Sequence, residues 1–202
     1  MKINKTIVTL LIASFAIVSC TKDSDYEVAK SNTYLFQEDF TGSTDNTNLN
    51  TPGWTNFAQT GSKIWSEQEY SGNGYAEFSS FGSGQAVNVG WLISPALNMD
   101  TQDAEKLVFQ SAQNFLRTSI DNPLELLVSS DYDGTNFAAA SWEKVPIITP
   151  TPDTERFLFV NSGVVDLSAY KGTLHFAFRV TGSGTNSNLT GTYQIDNIKV
   201  FY

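Results

Sequence analysis

Large apolar side chains alternate with polar or smaller ones through Leu174-His175-Phe176-Ala177-Phe178-Arg179-Val180. A period of two puts every second residue on one face of an extended strand, and Val87, Val89, Trp91 and Ile93 keep a common phase in the same way. Further strands are predicted over residues 34–40, 64–67, 75–79, 107–113, 124–129, 142–145, 157–161 and 194–201. Between them lie turn-rich stretches at 41–53, 71–74, 82–84, 131–134 and 182–185. About ten short strands with no long helical period specify an all-β chain, an antiparallel β-sandwich or jelly roll. No internal repeat and no second-domain linker interrupts residues 34–202, which read as one domain.

The last strand breaks its own alternation. Ile195 lies on odd parity and Ile198 and Val200 on even, so the inward phase slips across Asp196-Asn197. A one-residue slip would otherwise turn half of the strand's apolar side chains into water, and a bulge or a strand end is the economical remedy. Such a slip turns Asp196 toward a site, or leaves it as a turn residue capping its own backbone.

Ahead of the domain, Lys2 and Lys5 precede an apolar run from Ile7 to Val18 and the sequence Ile17-Val18-Ser19-Cys20. The run is shorter than the roughly 20 residues needed to span a bilayer and matches an export signal. A plain secretory signal would place its cleavage site inside the apolar run, near Ala13 or Ala16, and leave Cys20 unexplained. Residues 1–19 are therefore expected to be a lipoprotein signal peptide and Cys20, the sole cysteine, the acylated residue. One acyl chain holds weakly and two or three hold stably, so the expectation is an outer-membrane lipid anchor. Residues 20–33 read as a tether, whose acidic start, Asp23, Asp25 and Glu27, fits either a surface-export signal or a solvated linker. Display toward the cell exterior is the preferred reading.

Composition narrows the partners. Net charge is −9, and −11 once residues 1–19 with their two lysines are removed. Scattered Lys and Arg argue against nucleic acid, and the balance suits neutral glycans, cations or basic proteins. No nucleophile elbow, histidine pair or phosphate loop stands in the chain. The only histidine, His175, faces away from Leu174 and Phe176 and reads as a surface or satisfied side chain, so no catalytic residue is expected. Asp131-Tyr132-Asp133-Gly134 resembles the start of an EF-hand loop, but Trp142 occupies its twelfth position and the segment reads as a turn.

Five pieces in order carry a family resemblance: Glu38-Asp39-Phe40, Pro52-Gly53-Trp54, Trp91-Leu92-Ile93-Ser94-Pro95-Ala96-Leu97, Val165-Asp166-Leu167 with Ala177-Phe178-Arg179, and Ile195-Asp196-Asn197-Ile198. Together they resemble choice-of-anchor J and cleaved-adhesin domains over residues 34–202. The resemblance implies a galactose-binding-like jelly roll on bacterial surface or secreted proteins, often with structural calcium and without an established catalytic site. Calcium takes six to eight oxygens. If the first and last strands are neighbours, as that fold implies, then Glu38, Asp39, Asp45, Asn46 and Asp196 are the candidate ligands. Thr41 stands where many relatives carry another acid, which removes one charged ligand.

The aromatic residues raise the question of binding. Trp91 shares its phase with Val87, Val89 and Ile93 and is expected in the core, while Trp54 and Trp142 match framework positions. Trp65 is less determined, and with Tyr70, Asn73 and Tyr75 it is a candidate ligand surface for a sugar. Two functions follow from these readings. One is a non-enzymatic cell-surface lipoprotein presenting an adhesin-like or carbohydrate-binding module to a glycan or an extracellular protein; the other is a structural or accessory lipoprotein of an outer-membrane complex.

Overall fold

A computed structural model describes residues 33–202; the signal segment, Cys20 and nearly all of the tether lie outside the described residues. The strands in chain order are β1 (Tyr34–Glu38), β2 (Thr47–Asn48), β3 (Thr55–Thr60), β4 (Ser66–Tyr70), β5 (Asn73–Ser79), β6 (Asn88–Ile93) and β7 (Leu97–Asn98). There follow β8 (Lys106–Asn114), β9 (Leu124–Ser129), β10 (Glu143–Val145), β11 (Val160–Asn161), β12 (Val165–Asp166), β13 (Thr173–Gly182) and β14 (Thr192–Phe201). Single 3₁₀ turns occupy Phe137–Ala139 and Ser187–Leu189. No helix among the described residues is long and apolar enough to cross a membrane.

Two antiparallel sheets build the expected sandwich. The larger runs β11-β8-β14-β5-β4-β2, with β1 also on β14 and β12 on β8; the smaller runs β10-β9-β13-β6-β3, with β7 also on β13. Between them lies the main core, where Phe78, Phe109, Tyr193 and Ile195 of the larger sheet meet Leu92, Leu126, Phe176 and Phe178 of the smaller one. Burial of each such side chain stabilises by about 1.5–3 kcal/mol. The opposed faces are close enough that Gly90 of β6 lies directly against the Phe78 ring.

The phase slip in the last strand is present. Register between β14 and β8 shifts between Asp196 and Lys199, and Asn197 adopts a left-handed backbone with φ 52°. The slip has a topological cause. Residues Thr192 to Ile195 of β14 pair with β5, whereas Ile198 to Phe201 pair with β1 along that same edge. Asp196 stands where one partner gives way to the other.

Trp91 is buried, but not between the sheets. Residues Trp91, Ile93, Ala177 and Leu127 point to the far side of the smaller sheet and form a second core with Tyr132. The segment after β9 folds over that face, bringing Phe137 to 4.8 Å and Trp142 to 5.3 Å from the Trp91 ring. Asp133 and Asp131 hold this segment. Asp133 accepts from the Thr135 and Asn136 amides and Asp131 from the Ser129 hydroxyl and the Ser141 amide, which is turn chemistry as the sequence suggested. His175 is buried against Tyr132, its Nδ1 2.8 Å from the Ser94 carbonyl.

Candidate functional site

The outer face of the larger sheet is polar by parity. Tyr75, Glu77 and Ser79 of β5 alternate with the buried Ala76 and Phe78. Cross-strand pairs set a continuous row over five strands: Asn114 of β8 faces Thr192 of β14, which faces Ser79 of β5, and two residues along β5 Glu77 faces Ser66 of β4, which faces Asn48 of β2. Hydrogen bonds fix the row. The Thr192 hydroxyl lies 2.9 Å from Ser79 Oγ, and Gln194 Nε2 donates to Glu77 Oε2 at 2.8 Å. Burial pushes the Glu77 carboxyl up from its ordinary value, against the Gln194 bond, and Asp45 adds to the rise. Asn114 Oδ1 has no donor among the described residues.

Over this row lies a groove of about 1030 Å³. Its walls come from the β3–β4 connection at Ser62, Lys63 and Ile64, the β5–β6 loop at Phe81, and the β8–β9 and β13–β14 connections at Phe115, Arg117 and Thr190. Two aromatic rings stand at its rim. Phe81 is 74% exposed and Phe115 53% exposed. Phe115 also has φ 56°, a left-handed backbone that costs a non-glycine residue about 1–2 kcal/mol. That strain swings the ring out of β8's inward phase and leaves Leu116 buried in its place. Local strain of this kind concentrates at functional sites.

The patch expected around Trp65 divides. Trp65 is completely buried, packed against Phe78 and Phe178 at 5.6 and 6.4 Å, and offers no face to a ligand. The physical reason is its position just before β4, where Asn56 grips the Trp65 amide and carbonyl and turns the indole inward. Tyr70 and Asn73 flank the two-residue hairpin Ser71-Gly72, both with positive φ, and Tyr70 is 75% exposed. Tyr75 is half-buried and meets Phe159 edge-on at 6.1 Å. Asn73 and Tyr75 share the groove's sheet face at the opposite end of β5.

The five candidate calcium ligands fall into two places. Glu38 and Asp39 lie close enough to Asp196 to raise its carboxyl further, after burial as the main cause, while Asn73 and the Asn197 amide oppose the rise. Asp45 and Asn46 sit instead beside β4, where Asp45 accepts from the Glu69 amide and Asn46 from Gln68. Glu38 Oε1 accepts from the Phe40 amide and Oε2 from Trp54 Nε1. No set of three Asp, Glu, His or Cys side chains among the described residues is grouped to hold a metal. Since the Asp196 and Glu77 carboxyls are both raised, the stability they contribute is complete below the ordinary carboxylate range. It is lost as pH rises through their raised values.

The fold is that of a jelly-roll β-sandwich. Among solved structures the chain is similar to the K3 cleaved adhesin domain of Lys-gingipain from Porphyromonas gingivalis, with TM-score 0.54 and 16% identity over 84% of this chain and 100% of that one. The K2 cleaved adhesin domain of Lys-gingipain gives TM-score 0.53 and 20% identity, covering 83% of this chain and 98% of that one. The CBM22-2 xylan-binding domain of a Paenibacillus barcinonensis protein gives TM-score 0.49 and 10% identity, covering 83% of this chain and 98% of that one. No protein-family model matches the chain, and no curated protein matches it by sequence. At these identities the two adhesin domains establish the fold and nothing finer.

Sequence reasoning named neither Phe81 nor Phe115. Phe81 continues the outward parity of Tyr75, Glu77 and Ser79, which is a readable sign of an aromatic ring facing water. Phe115 carries no such sign, since it lies on the inward parity of Leu107 and Phe109 and leaves it only through its backbone.

Proposed function

We propose that this chain is a non-enzymatic glycan-binding module of the adhesin type, displayed at the bacterial surface, and that the groove over the larger sheet is its binding site. One observation carries the reading: an open trough of hydroxyl and amide groups with two exposed aromatic rings at its edge. Sugar rings present C–H faces that stack on aromatic rings and hydroxyls that pair with amides and hydroxyls, so this pairing of surfaces suits a saccharide. Phe81→Ala is expected to weaken retention in affinity gel electrophoresis on the retarding polysaccharide about tenfold. Because Phe81 is 74% exposed, its stability is expected to change by no more than about 0.5 kcal/mol. Unaltered mobility of wild type and variant across a panel of soluble polysaccharides overturns the assignment.

Lipid attachment at Cys20 and an outer-membrane location belong to the same proposal, on the strength of the signal-like first 19 residues. In cells fed an alkyne fatty acid the chain is expected to be labelled and Cys20→Ser to be unlabelled. Equal labelling of the two removes the anchor. Structural calcium is proposed in a narrower form, with Asp196 and Glu38 near the β14 slip as its carboxylates and backbone carbonyls supplying the remaining protein oxygens. Millimolar calcium is then expected to raise Tm by several degrees over an EDTA control, and an unchanged Tm retires it. The alternative of an accessory part of an envelope complex has no comparable observation behind it.

A further inference from the structure

We propose that the Phe115–Arg117–Arg156 end of the groove is an anion subsite, so that the glycan it takes is acidic, bearing carboxylate or sulfate groups. This rests on the groove being the glycan site. Within a chain of net charge −9, the described cations are distributed unevenly. Lys144 and Arg179 are both paired with Glu125, and Lys171 with Asp103. Five cations form no ion pair among the described residues; Lys106 and Lys199 lie elsewhere, while Lys63 and both unpaired arginines, Arg117 and Arg156, lie along the groove or its extension.

Arg117 is the junction. It lines the main groove with Lys63, an adjoining pocket of about 460 Å³ with Arg156, and a third of about 600 Å³ with Asn186 and Asn188. Arg156 is held in place, its guanidinium 4.0 Å above the Phe115 ring. Phe115 thereby joins the aromatic rim to the charged end, with one ring face toward Arg156 and 53% of the residue exposed. Glu155 and Asp121 border the second and third pockets without pairing to either arginine. Guanidinium groups stay charged at any physiological pH, and their planar fork matches the paired oxygens of a carboxylate or sulfate. Unpaired arginines gathered on a polar trough in an otherwise acidic protein mark the place where a ligand supplies the missing negative charge.

The test uses three probes of matched length in calorimetry with the full domain: an oligogalacturonate, its methyl-esterified form, and a sulfated galactan oligosaccharide. Esterification keeps the sugar rings and removes the charge. At least one of the two acidic probes is expected to bind about tenfold more tightly than the ester. Arg117→Gln and Arg156→Gln are each expected to bring the ratio of acid to ester affinity close to one, whatever change they make in ester binding itself. A preference for the uronate assigns the subsite to carboxylate, and one for the galactan to sulfate. Equal affinity for acids and ester, or arginine variants that bind acids as the wild type does, overturns the anion subsite. In that case a loss of ester binding in Phe81→Ala still upholds the groove. No binding of any probe by the wild type, with Phe81→Ala also indistinguishable from wild type on polysaccharide gels, overturns both.

Discussion

Gly90→Ala is expected to destabilise the domain by at least about 3 kcal/mol, more than most core substitutions, and to leave much of it unfolded at physiological temperature. A Cβ at this position would sit 2.6 Å from Cδ2 and 2.8 Å from Cζ of Phe78, with Cε2 nearer still. The collision is with the body of a fully buried ring, which has no flexible end to give way. Phe78 is itself fixed by Trp65 at 5.6 Å, so relief requires the two sheets to move apart. Trimming the ring offers the control. Phe78→Leu alone costs packing, yet combined with Gly90→Ala it is expected to be less damaging than the two costs added, a coupling above about 1 kcal/mol in a double-mutant cycle. Urea unfolding of the four proteins reads it, and a Gly90→Ala variant as stable as wild type would show that the sheets are not packed this closely.

Trp65→Ala is expected to lose about 3–5 kcal/mol, the range for emptying a buried indole site. The ring is wholly enclosed between Phe78 and Phe178, and little around it is able to collapse into the void. Trp65→Phe should be much milder. The indole Nε1 has no acceptor among the described residues, so the smaller ring gives up volume but no hydrogen bond made there. A Trp65→Ala protein that kept wild-type stability while losing polysaccharide retention would restore the residue to a binding role.

These two positions also mark the limit of what alternation reveals. Strands such as β9, β13 and β14 were legible because each has a strong inward phase, and the slip at Asp196-Asn197 was legible as its interruption. Strand β3, Thr-Asn-Phe-Ala-Gln-Thr, was missed because it is polar and only half-buried at the edge of the smaller sheet. Strands β2, β7 and β12, of two residues each, are too short to show a period, as is β11, which is the end of the longer 157–161 strand expected from sequence. Trp91 read correctly as buried, but parity names only a face and cannot say which neighbour covers it; here the covering layer is Phe137 and Trp142. Trp65 is undetermined in the sequence because polar Glu67 and Gln68 stand close by, whereas the direction of its side chain is set by Asn56, nine residues earlier. The groove was the least legible part, since its walls come from separate connections whose meeting is a property of topology.

The order in which the strands are made bears on how this domain comes into being. The centre of the larger sheet is β14, held between β8 and the pair β5 and β1, and the centre of the smaller sheet is β13, between β9 and β6. Both central strands come after all the others along the chain. A polypeptide emerging amino end first therefore presents its earlier strands without the partners that complete either sheet until residues 173–201 arrive. Closure then joins segments more than a hundred residues apart, such as β1 to β14, a slow step in which loop entropy is spent before pairing rewards it. Both sheets thus stay without their central strand until the last thirty or so residues of the chain are made, so completion of the fold is set by the arrival of its end rather than by growth from its start.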